Sequence, residues 1–216
     1  MRGTLIALAA LLLCAFTAPE PFFPQAPGMD PDHVAFREEW LGRPLRAMEE
    51  PIFSRLGPAA NRVLRLRLLV RPYRDPPYVI RIDEAADGRA RLAVARLDGF
   101  SPRRRGHVLR QPEAILDAAR LAPIHAALAQ AALPSQPAQG QERPPRIVDG
   151  MQEIVMCVHS THFSFELADA AGLYQIDRDP CTLTPPLAAL AEAMLDLYAD
   201  APADDHAILA EARQPN

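Results

Sequence analysis

The chain has 216 residues, 49% hydrophobic and 23% charged, with a formal net charge of −4. That length and apolar content suit one domain with a packed core rather than a disordered chain, and the sequence shows no internal repeat. Aromatic residues make up 6%, with Trp40 the single tryptophan, which argues against stacking platforms for sugars or bases, so no nucleic-acid partner is expected.

The N-terminus reads as an export signal. Arg2 precedes an apolar run from Leu5 to Ala18 that is shorter than the roughly 20 residues of a membrane span. Ala15-Phe16-Thr17 fits the small-x-small cleavage rule, giving a signal peptide over 1–17 and no transmembrane segment after cleavage. Cys14 follows Leu13 rather than a small residue, which argues against a lipoprotein. Residues 18–29, with PEPFFPQAPG, read as a Pro-rich extended tether. A single domain over 30–216 follows.

Asp30 and Pro31 open a helix carrying Phe36, Trp40 and Leu41, and a second short helix holds Leu45, Met48, Ile52 and Phe53. In NRVLRLRLLVRP, Leu64, Leu66, Leu68 and Val70 alternate with Arg65, Arg67 and Arg71, the period of a strand with one wet face. Tyr78, Ile80 and Ile82 mark a second strand. The Asp87-Gly88 turn leads to a third, with Ala90, Leu92 and Val94, completing an antiparallel meander. After an Arg-rich loop, PEAILDAARLAPIHAALAQAAL reads as a helix split at Pro123. Residues 134–145 form a Pro/Gln-rich surface loop. A hairpin is expected from about Ile154 to Arg178, turning near Asp169 to Gly172. Thr184 and Pro185 start an apolar-striped helix with Leu187, Leu190 and Met194, and a last helix covers Asp204 to Arg213.

Two cysteines, Cys157 and Cys181, remain once the signal is removed. An even count in an exported chain favours a disulfide, and the hairpin brings the two within bonding reach. A zinc site built from Cys157, His159, His162 and Cys181 needs converging ligands, but residues three apart on a strand point to opposite faces. No metal and no cofactor is therefore expected. His33 stands beside Asp30 and Asp32 at a helix start, where the acids serve mainly as caps, and His125 lies among alanines with no partner nearby in sequence. Asp177 and Asp179 share a strand face and read as a solvated turn beside Arg178. The nucleophile elbow, the paired-histidine zinc motif, the phosphate loop and the dinucleotide glycine pattern are all missing, so no catalytic residue is assigned.

All 23 basic residues are arginine, and they are unevenly placed. Arg37 to Arg120 holds 18 Arg against 11 acids, a net of +7, whereas Leu121 to Asn216 holds 4 Arg against 13 acids, a net of −9. Such a split marks either two parts that attract each other or a basic face for an anionic partner. Arg65, Arg67 and Arg71 project together and form the candidate anion-binding patch, for which an anionic envelope component is the fitting partner.

The signal peptide, the Arg-alternating strand, "PYVIRIDEAADGRARLAVARLDG", and the "HFSFELADAAGLYQIDRD" hairpin before an Ala/Leu helix give the chain its layout. In this it resembles uncharacterised small secreted proteins of Gram-negative bacteria. That resemblance implies export and carries over no catalytic residue. The expected fold is α+β: an antiparallel sheet of about five strands, covered on one face by helices near Ile115, Leu128 and Leu190. The expected function is that of a periplasmic or secreted, non-enzymatic binding or accessory domain. The alternative is a metal-dependent hydrolase using His159 and His162.

Overall fold

A computed structural model describes residues 21–23, 31–55, 62–101, 103–138, 146–148, 151–153, 157 and 160–213; the expected signal peptide over 1–17 and most of the expected tether lie outside them. Nine strands are described: β1 (Arg62–Arg71), β2 (Tyr78–Ala85), β3 (Ala90–Asp98), β4 (His107–Arg110), β5 (Ala114–Leu116), β6 (Arg146–Val148), β7 (Met151–Glu153), β8 (His162–Asp169) and β9 (Leu173–Arg178). The helices are α1 (Pro31–Arg37), α2 (Arg43–Ala47), α3 (Ala118–Ala131), α4 (Pro185–Leu195) and α5 (Ala203–Ala212), with a wide turn over Glu38–Gly42 joining the first two.

Seven strands form one antiparallel sheet in the order β4-β3-β2-β1-β8-β9, with β5 also paired to β3, while β6 and β7 make a separate hairpin. The fold is the expected single α+β domain. The count exceeds five because the short β4 and β5 carry little apolar periodicity of their own. The meander and the late hairpin meet through β1 and β8, with Leu68 opposite Phe165. Gly88 takes φ +77 in the turn between β2 and β3, a left-handed conformation that favours glycine.

On one face, Leu66, Leu68, Ile80, Phe163 and Phe165 pack against α3, α4 and α5 through Ile124, Leu187, Leu190 and Leu209. Asp117 caps α3 by accepting the Arg120 N–H at 2.9 Å. Ile115 lies in β5, not in a helix, so α3 starts later than its sequence suggests. The helix also runs unbroken through Pro123, its sixth residue: the missing N–H removes one backbone bond, while the buried stripe of Leu121, Ile124 and Ala127 continues on both sides and holds the helix to the core.

The other face is covered as well. Leu69, Val79, Ala95 and Leu97 pack against Leu41, Leu45 and Met48 of the α1–α2 region and against Phe22 and Phe23. Those two rings are 2% and 4% exposed, so this part of the expected tether is core. The sheet is therefore the middle of three layers. The beginning of the Pro/Gln-rich loop is pinned to β9, where the Asp177 N–H donates to the Ala138 carbonyl at 2.9 Å; residues 139–145 lie outside the described part.

Candidate functional site

The expected basic patch is not a wet face. Arg65 and Arg67 do project from β1 on the side away from α3, but they are 8% and 0% exposed. Arg67 donates from Nε to Glu166 at 2.6 Å and from Nη1 to the Pro51 carbonyl at 2.8 Å, and its guanidinium lies 4.1 Å from the Phe53 ring centre. Glu50 lies 3.6 Å from Arg67 and 3.1 Å from Arg81, and Arg65 meets Asp83 at 3.1 Å. Burial raises the Glu166 carboxyl above its ordinary range, and Arg67 opposes that shift. The guanidinium groups are occupied by internal carboxylates and roofed by the N-terminal layer, which corrects the reading of Arg65 and Arg67 as an open anion site. The Arg67–Glu166 pair, with Arg37–Asp177 at 2.9 Å, joins the basic and acidic parts of the chain within the fold.

Arg71 differs. It is partly exposed, stacks 3.6 Å from the Trp40 ring centre and is lowered to about 10, chiefly by burial, with Glu39 opposing. Trp40 in turn stacks on Phe36. This group caps the edge of the layer beside His162, which stands opposite Arg71 in the β1–β8 register.

Cys157 and Cys181 are joined in a disulfide, with their Cα atoms 5.9 Å apart. A bridge closing a loop of this size contributes roughly 2–4 kcal/mol. Asp179 lies close enough that it and the two sulfur atoms fall within 4.8 Å of one another, but the sulfurs are bonded to each other. His159 lies outside the described residues. His162 is half-buried at the start of β8 and belongs to no ligand-spaced cluster among the described residues; burial lowers its pKa and Asp179 opposes this. Asp177 is not a solvated turn residue, since it pairs with Arg37 and accepts from Ser164 Oγ at 2.7 Å. Asp179 accepts from the Thr182 N–H at 2.9 Å and shapes the turn before Cys181.

A different place in the fold has the form of a site. Along β2, the apolar series Tyr78, Ile80 and Ile82 ends in Glu84; along β8, Phe163, Phe165 and Leu167 end in Asp169. Both series face the helical layer, so each acid continues the apolar side of its strand. The register aligns them in one row, with Leu64 of β1 opposite both Glu84 and Asp169. With strands spaced about 4.8 Å apart, two carboxylates flank an apolar floor roughly 10 Å across.

α3 passes over this end of the sheet. His125 Nε2 lies 2.8 Å from Glu84 Oε2, a partner 41 residues away in sequence. Ala132, in the left-handed region at φ 46, ends α3 and turns the chain so that Leu133 is buried. The result is a cleft of about 640 Å³. Leu64 and Leu167 lie at its base, Leu128 and Leu133 along one side, and Ala170 and Ala171 of the β8–β9 turn along the other. Asp169 is fixed by its own turn: Oδ1 accepts the N–H groups of Ala171 at 2.8 Å and Gly172 at 3.0 Å.

Sequence reasoning left His125 without a partner and did not single out Glu84 or Asp169. The available signal was an acid occupying the next apolar-face position on two strands. Volume, apolar walls and a few fixed polar groups are the ordinary composition of a small-molecule site. The chain matches no family model and no curated protein.

Proposed function

We propose that the protein is an exported, non-enzymatic binding or accessory domain, periplasmic or secreted, that holds a small apolar ligand in the cleft between α3 and the ends of β1, β2 and β8. The cleft itself carries this reading: about 640 Å³ lies within the range of roughly 300–1,000 Å³ typical of small-molecule sites, and its walls are mainly leucine and alanine. Export is supported by the signal-like N-terminus and by the disulfide, which suits an oxidising compartment. No helix among the described residues is long and apolar enough to cross a membrane. The Arg65 and Arg67 side chains are turned to internal carboxylates.

The test is titration with a neutral apolar fluorophore, N-phenyl-1-naphthylamine. Saturable binding to the oxidised protein is expected, and Leu128→Arg, which places a charge in the wall, is expected to weaken it at least tenfold. Leu128 is only half-buried, so the substitution leaves the sheet core intact. Absence of binding, or equal binding by a folded Leu128→Arg variant, would refute the assignment.

A further inference from the structure

The ionisable groups lining the cleft, among the described residues, are two carboxylates and an imidazole; no arginine lines it. This holds in a chain with 23 arginines, most of them in the half that supplies β1 and β2. Glu84 is already engaged by His125. Asp169 uses Oδ1 for its two turn N–H groups, and its Oδ2 has no hydrogen-bond partner among the described residues. A fixed carboxylate beside an apolar trough presents an acceptor and a negative charge to whatever lies along the trough. A bound carboxylate or phosphate would meet like charge, whereas an ammonium group would form a charge-assisted hydrogen bond.

Resting on the cleft reading, we propose that its ligand is a single-chain amphiphile with a primary ammonium head: the apolar body lies over Leu64 between Leu128 and Leu167, and the head sits on Asp169 Oδ2. The Asx turn holds the acceptor in place before the ligand arrives, which lowers the ordering cost of binding. The apolar contacts supply most of the affinity, and Asp169 supplies the choice of head group.

The experiment is displacement of N-phenyl-1-naphthylamine from the oxidised, full-length exported protein by decylamine, decanol and decanoate at pH 7. Decylamine is protonated there, as an amine titrating near 10 must be. The expected order is amine, alcohol, carboxylate, with at least about tenfold between first and last, the worth of one charge-assisted pair. The gap should narrow as salt is raised. Asp169→Asn keeps the oxygen that accepts the two turn N–H groups, and it is expected to bring amine and carboxylate to within about threefold. Decanoate binding as tightly as decylamine, or an unchanged ratio in a folded Asp169→Asn variant, overturns the head-group inference and leaves the cleft assignment standing. Failure of the fluorophore itself removes both. Binding to ethanolamine-phospholipid vesicles without displacement by free decylamine would assign the face to a membrane surface. A concentration-dependent dimer dissociated by Leu128→Arg would assign it to a second copy. Either result overturns the proposal.

Discussion

Arg67 carries the main lesson at the scale of the residue. Its side chain is wholly buried, and each polar end has a partner: Glu166 on β8, Glu50 after α2, and the Pro51 carbonyl. Removing one member of such a group leaves a desolvated charge behind, which typically costs more than the pair contributed. Arg67→Met is expected to lower unfolding free energy by about 3–5 kcal/mol in urea titration. Adding Glu166→Leu should recover a large part of that loss, because it removes the carboxylate left unpaired. If the double variant is as unstable as the single one, the cost lies in packing against Phe22 and Phe53 rather than in the charge. Alternation of Arg with Leu was legible in the sequence. Burial of the Arg side was not, because a guanidinium beside water and one beside two buried carboxylates have the same local sequence.

At the scale of the element, the N-terminal layer is held less by helix propensity than by what it covers. α1 and α2 are short, and short helices gain their stability from packing. Phe22 and Phe23 meet edge to face, with ring centres 5.2 Å apart, and Arg37 and Arg67 lie 4.9 and 5.0 Å from the centres of Phe23 and Phe22. Phe22→Ala is expected to destabilise by about 3–5 kcal/mol, the usual cost of emptying a buried aromatic site. It should also raise hydrogen exchange in β1 and β8 around Arg67 and Glu166. Unchanged exchange there would mean that the layer stays closed without the ring. The two phenylalanines stand among prolines, so composition pointed to a tether. The burial comes from a sheet face that needed covering, which no property of PEPFFPQAPG reveals.

For the whole molecule, stability is set against pH by groups of opposite sign. Burial lowers the His162 pKa, with Asp179 and Asp177 opposing and Arg71 reinforcing. Its contribution is therefore full above the unfolded value of 6.5 and is lost as pH falls below it. Burial raises Asp205, opposed by its bonds to Tyr78 and Thr161, and raises Glu166; their contributions are full at low pH and are lost as pH rises through the folded values. Comparison with His162→Gln isolates the histidine. Between pH 7 and 5 the wild type should lose stability relative to that variant, by at most about 1.4 kcal/mol per pH unit. A pH-independent difference would place the proton elsewhere.

Local pattern in the sequence carried the longer elements and much of their pairing: the meander from β1 to β3, the β8–β9 hairpin with its turn at Asp169, the Thr184-Pro185 start of α4, and the pairing of Cys157 with Cys181; the short strands β4 to β7 left no such pattern. These are local properties, carried by period-two alternation, turn residues and the spacing of two cysteines across one hairpin. Tertiary structure alone decided that both sheet faces are covered, that the arginines of β1 face internal acids, and that Glu84, Leu64 and Asp169 form one row beneath His125. Those outcomes depend on the register between strands distant in the chain and on which layer packs over each face, and local pattern constrains neither.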